Sequence, residues 1–296
     1  MAIQKGGSFK TSVVSNLGAA IAAKGKRVLL IDADQQGNLT QDDLGVPDEQ
    51  WDKGNSLAAA FQYGGELTVI KNVRPNLDLV MGGPRIGMVS TAVASAASAA
   101  EDPPDMAENL RGALVKLQAE GQYDLIVIDS GHGDKVLMIA LLEVSTDLII
   151  PTQEDSASLR GIAQLAASMK RAIHRGSKVQ LLGVVLVGVD PKATTRYEYV
   201  IEQVREVLHG TDVEPFEATI RHARPVSVAQ RAYSRTAQEI ALVASGQATG
   251  DLQSLRLGKG RLSADMAVNL ANDYQKLTRE VLQRLARNRA QQPVSQ

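Results

Sequence analysis

The strongest constraint on how this chain can fold is an alternation of short apolar runs with long Ala/Leu-rich stretches. Arg27–Asp32 (RVLLID), Leu77–Met81 (LDLVM), Tyr123–Asp129 (YDLIVID), Asp147–Pro151 (DLIIP) and Leu181–Val189 (LLGVVLVGV) each read as a strand buried on both faces. Runs of this kind suit a parallel sheet covered by helices. Between them Thr11–Lys24, Asp105–Glu120, Ala157–Arg175 and Thr195–Leu208 carry helical spacing. The alternation predicts an α/β fold: a doubly wound, mostly parallel sheet with helices on both faces and ligands at the carboxyl ends of the strands.

The 296 residues are read as a single domain with two irregular segments. Residues 89–104 are Ala/Ser-rich; a helix could begin there, but Pro103 and Pro104 stop it. Residues 243–261 are Gly/Ser-rich and read as an exposed loop. A final helix is expected over 264–289, with Met266, Leu270, Tyr274, Leu277, Val281 and Leu285 on one face. Zero cysteines exclude disulfides, thiolate metal sites and cysteine-held iron–sulfur clusters, and they fit a reducing cytoplasm. The formal charge of −1 excludes a globally basic coat but leaves room for a local basic patch. No apolar run approaches the roughly 20 residues of a membrane span, and no signal-peptide core is seen.

Chemistry concentrates near the start. Gln4-Lys5-Gly6-Gly7-Ser8-Phe9-Lys10-Thr11-Ser12 lies between a short apolar start and a helix, the context of a phosphate-binding loop. Glycines there let backbone N–H groups converge on phosphate oxygens, and a helix N-terminus adds partial positive charge. Lys10 can reach phosphates, and the Thr11 hydroxyl can meet Mg²⁺. The strict P-loop pattern fails, because Phe9 stands where glycine should precede Lys10-Thr11. By itself the segment has a plainer alternative, a glycine turn with two solvated lysines. Asp32 and Asp34 close the RVLLIDAD strand, where buried carboxylates are costly unless they meet Mg²⁺, water or a lysine. For Asp34 a turn-capping role is the plain reading.

The pattern Lys-Gly-Gly-x-x-Lys-Thr resembles the deviant Walker A motif of the ParA/MinD superfamily. Gly25–Asn38 (GKRVLLIDADQQGN) is similar to the GKRVLLIDxDPQGN segment of ParA-type partition ATPases, and Tyr123–Asp129 to their Walker B strand. Further matches follow in order: Pro75–Leu79 with Gly83-Pro84, Leu148–Gln153 with Ser158–Gly161, Leu182–Leu186, and Thr219–Arg224.

The resemblance implies a small ParA-type ATPase without an N-terminal helix-turn-helix domain. Its cofactors would be ATP and Mg²⁺, and turnover would be slow. It implies a sandwich homodimer on ATP that binds DNA without sequence preference and is reset by hydrolysis. A centromere-binding, ParB-type partner would stimulate that step, in a cytoplasmic, nucleoid-associated setting. Carried over residue by residue, Lys5 reaches the partner's nucleotide and Lys10 binds the β/γ-phosphates. Thr11, Asp34 and Asp129 serve the metal and its water, with Asp34 activating the attacking water. Gly6, Gly7, Ser8, Phe9 and Ser12 line the phosphates, and Asp190 and Arg221 lie on the adenine side. DNA candidates are Lys192, Arg196, Arg221 and Arg224, to which Lys276, Arg279, Arg284 and Arg287 of the last helix are added from charge pattern. A solvated helix face is the plain reading of those four.

Several residues depart from the family pattern. If the backbone needs a positive φ at Phe9, the side chain is strained. Gln35 replaces the usual proline, and Ser130-Gly131-His132-Gly133-Asp134 replaces the usual stretch after Walker B. The first strand is nearly absent before Gln4, so it is either two or three residues long or the start is placed late. These departures keep a non-hydrolysing nucleotide-binding adaptor in view. A MinD-like membrane-positioning ATPase is the other rival, disfavoured by the polar end Arg284–Pro293, so no stable membrane association is expected.

Overall fold

The computed structural model describes residues 9–98, 104–121, 123–131, 133–154, 156–190, 194–209, 211–248 and 262–291. Helix α1 (Phe9–Ala22) leads into β1 (Val28–Ala33), followed by a five-residue π-helix (Leu39–Asp43) and α2 (Asn55–Tyr63). Strands β2 (Val69–Arg74) and β3 (Leu77–Val80), helices α3 (Gly87–Ser98) and α4 (Met106–Gly121), and β4 (Leu125–Ser130) come next. Then α5 (Lys135–Val144), β5 (Asp147–Thr152), α6 (Ser156–His174), β6 (Gln180–Val189), α7 (Thr194–Leu208) and β7 (Ile220–Arg221) alternate. Helices α8 (Arg224–Ala232), α9 (Ala237–Ala244) and α10 (Ala264–Gln291) complete the described chain.

The strands form two sheets among the described residues, ordered β2-β3-β1-β4 and β5-β6-β7. All pairings are parallel except β2 with β3. Every residue of β1 is buried, as its central place demands. Its side chains alternate between two cores, as a pleat requires: Val28 and Leu30 face one, Leu29, Ile31 and Ala33 the other. The first core runs across both sheets beneath α1, α8, α9 and α10. On the opposite side there are two separate cores, one under α2, α4 and α5 and one under α6 and α7. Helix α1 touches β1, β3 and β4 of one sheet and β5 of the other, so it spans both.

All five expected strands and all the expected helices appear within two residues of their predicted bounds, and one strand differs in burial. That strand, β4, starts at Leu125 and not at Tyr123, and Leu125–Ile128 are only half-buried, not covered on both faces. Residues 89–104, expected to be irregular, are helical as far as Ser98 in α3. Val243 and Ala244 close α9, 245–248 form a turn, and the rest of the expected 243–261 loop lies outside the described residues. No helix among the described residues is long and apolar enough to cross a membrane.

Candidate active site

The carboxyl ends of β1 and β4 bring the site together. Register pairs Asp32 with Asp129 and Ala33 with Ser130, so the two aspartates end adjacent strands. Helix α1 begins over this edge. Lys10, in its first turn, is 9% exposed and donates from Nζ to the Ser130 carbonyl at 2.7 Å. Burial lowers the Lys10 pKa, and the nearby Asp129 and Asp34 charges oppose that shift. Asp129 is 1% exposed; burial raises its pKa while Lys10 and the Thr11 hydroxyl hold it down. Thr11 is near enough to be felt, yet neither Asp129 oxygen has a hydrogen bond of full geometry among the described residues. Two buried carboxylate oxygens left so are the kind of group a cation or its bound water satisfies.

Asp34 is 6% exposed and follows β1. One of its oxygens caps the turn by accepting from Gln36 N at 3.0 Å, so the plain reading holds for that atom. Asp32 is fully buried and accepts from Thr40 N (2.9 Å), Thr40 Oγ1 (2.7 Å) and Asp34 N (3.2 Å). Burial, with Asp129 adding, pushes its pKa up to about 8. No group of three or more carboxylates and histidines converges as a ready metal cage among the described residues. Mg²⁺ does not need one, since it keeps several waters and shares phosphate oxygens. Thr11, Asp129 and Asp34 fit that lighter demand.

Phe9 is the first residue of α1, a helical position where φ is ordinarily negative, so the strain of a positive φ does not apply. Its ring lies against Gly188 of β6, where φ is +72° and an added Cβ would stand 3.2 Å from Phe9 Cζ. Asp134, read in the sequence only as the end of the altered stretch after Walker B, caps α5: Val136 N and Leu137 N donate to one oxygen and Ser90 Oγ to the other. Gln35 lies against Gly87 at the start of α3, so α3 touches the segments after both aspartate strands.

Lys5, Gly6, Gly7, Ser8, His132 and Lys192 lie outside the described residues, as does the side chain of Arg196. Ser12 is in α1, and Asp190 follows β6 beside Arg221, because Val189 pairs with Arg221. The basic candidates separate. Arg221 gives Nε and Nη2 to Asp273 of α10 at 2.6 and 2.9 Å, so its guanidinium is already engaged. Arg284 donates to the carbonyls of Leu182, Glu214 and Pro215 and to Glu280, and stacks on Phe216 at 4.1 Å. Arg284 thus serves the fold, and its place in a DNA surface is withdrawn. Arg224, Lys276, Arg279 and Arg287 are exposed. The last three line a groove beside α10 whose other wall carries Asp212, Glu214 and Glu217.

The comparisons agree with this geometry. A family model described as an AAA domain matches residues 1–181. The chromosome partitioning protein ParA of Caulobacter vibrioides is 32% identical over 212 residues, 69% of this chain and 74% of that protein. The chromosome-partitioning ATPase Soj of Thermus thermophilus is 29% identical over 255 residues, 81% of this chain and 93% of that one. Among solved structures, the ATP complex of a single-residue variant of Cyanothece McdA aligns with a TM-score of 0.67 at 18% identity, covering 100% of this chain and 96% of the other. The Mg-ADP complex of the septum site-determining protein MinD from Pyrococcus horikoshii aligns at 0.63 and 20%, covering 98% and 97%. With a matched family domain over more than half its length and a partition protein aligned over more than two thirds, the chain belongs to the ParA/MinD family of deviant Walker A ATPases and is a partition-type ATPase of the ParA/Soj kind.

Proposed function

We propose that the chain is an ATP-driven DNA-partition switch, dimeric on ATP, bound to DNA without sequence preference and released by slow hydrolysis that a ParB-type partner stimulates. The observation that carries the reading is the buried Lys10 at the N-terminus of α1, facing Asp34 and the poorly satisfied Asp129. Lys10 would release the Ser130 carbonyl to bind the β/γ-phosphates, and Ser12 and Phe9 would offer backbone N–H groups. Thr11 and Asp129 would hold Mg²⁺, which neutralises charge developing on the phosphates. Asp34 would orient the attacking water and accept its proton. Lys5 would reach the second protomer's nucleotide, tying turnover to dimer formation.

Arg224, Lys276, Arg279 and Arg287 would contact DNA phosphates, a role that a local patch fulfils in a chain of −1 net charge. Among large apolar side chains of α10, Val268 near its start is the exposed one, which favours nucleic acid over a membrane surface. The test is ATP turnover and DNA retention at low salt for wild type, Lys10→Ala and Asp34→Ala. Lys10→Ala should lose ATP-dependent retention. Asp34→Ala should keep ATP binding and retention but stop turnover. Wild type with no ATP-dependent retention would defeat the proposal.

A further inference from the structure

We propose that Asp32 and Thr40 are a positioning pair that fixes the main chain of Asp34; the functional half of this inference rests on the hydrolytic reading of Asp34. A closed circuit of hydrogen bonds surrounds that residue. Asp34 N donates to Asp32 Oδ1 at 3.2 Å, and both Thr40 donors meet Asp32 Oδ2. Thr40 Oγ1 accepts from Gly82 N at 2.9 Å, and the next residue, Gly83, donates its N–H to Asp34 O at 3.0 Å. The chain thus returns to Asp34 from its other side. Trp51 Nε1 donates to Gly82 O at 2.7 Å and steadies the outer link.

Asp32 and Thr40 are both 0% exposed, so neither reaches a nucleotide. Their effect on chemistry passes through Asp34. Gly82 is required for the closeness of the circuit: an added Cβ would lie 2.4 Å from Asp32 Cγ. Thr40 is also the second residue of the π-helix, so the pair fixes where that turn starts. Rare π-helical turns commonly mark such functional junctions.

The experiment compares the full-length wild type with Thr40→Val, Thr40→Ser, Asp32→Asn and Asp34→Ala. It measures kcat and KM for ATP, affinity for a fluorescent ATP analogue, and amide hydrogen exchange over residues 34–41. Thr40→Val should lower kcat roughly tenfold to a hundredfold, as a slight misplacement of a reacting group does, with KM and analogue affinity held within about threefold. Exchange over 34–41 should quicken by about tenfold or more, because the circuit opens. Thr40→Ser keeps the hydroxyl and should recover turnover to within about threefold of wild type. Asp32→Asn keeps the shape but has a single acceptor oxygen, so an amide donor must face either Asp34 N or the two Thr40 donors; it breaks the circuit on one side and should follow Thr40→Val, and it carries the test if the valine variant does not fold. Unchanged exchange in the substituted chains overturns the positioning pair, whatever the turnover. Turnover by Asp34→Ala at the wild-type rate instead overturns the hydrolytic reading, leaving the exchange result to judge the pair.

Discussion

Asp43 closes the π-helix with a carboxylate that is 6% exposed, accepting from Ser15 Oγ of α1 at 2.6 Å. Burial raises its pKa from an ordinary 3.8 to about 6, with the Ser15 hydrogen bond and the more distant Arg231 opposing. The folded chain therefore keeps a proton that the unfolded chain has released between about pH 4 and 6. Stability falls as pH rises through that window and gains nothing back above it. The two pKa values differ enough to remove about 3 kcal/mol of folding free energy.

Asp43→Asn keeps an acceptor for Ser15 and cannot ionise. Its amide donors bring a burial cost of about 1 kcal/mol, but that cost does not change with pH. The variant's stability relative to wild type should grow by about 2.5 kcal/mol between pH 4 and pH 7.5. Urea unfolding at a series of pH values, followed by the fluorescence of Trp51, measures this, and comparison with wild type cancels the titration of Asp32. Parallel stability curves would refute the argument, because they would mean that Asp43 ionises alike in the folded and unfolded chains.

Other outcomes follow from the same contacts. Arg284→Ala should cost about 2–4 kcal/mol in urea unfolding, since three carbonyls and Glu280 lose their donor. Arg287→Ala should cost less than about 0.5 kcal/mol and instead lower the salt dependence of DNA retention by about one phosphate contact. Gly82→Ala should lose about 1–3 kcal/mol through overpacking against Asp32, read as a lowered urea midpoint.

Much of the fold was legible because β1, β3, β5 and β6 are buried runs and the helices between them are long. What escaped was short or tertiary. Helix α5 owes its start to Asp134, whose second oxygen is held from α3, 44 residues earlier in the chain. Helices α8 and α9 were not anticipated either, although Pro225 in the first turn of one and the Thr236–Glu239 capping box of the other are signals a sequence carries. The helix over 87–98 carries no charge and no apolar periodicity, so composition resembled a loop. Lys10, Asp34 and Asp129 were readable because motif spacing places them on one sheet edge. Arg221 and Arg284 were not, since charge counts cannot foresee a carboxylate or carbonyls 52 and 102 residues away. Asp32 stood out as a costly buried carboxylate, but its partner Thr40 left no signal, because it sits inside an unremarkable run.

The meeting of Phe9 with Gly188 ties two distant positions into one inheritable unit. A phenyl ring at the first position of α1 packs best while the strand opposite has no side chain there. Replacing Gly188 by alanine in the native background crowds the ring and strains a backbone at φ +72°. With glycine at position 9 the crowding disappears and the strain alone remains. The two substitutions are thus epistatic, with the double change costing less than the sum of the single ones. A small residue at position 9 would therefore free position 188 from the ring, whereas the ring favours the glycine opposite it.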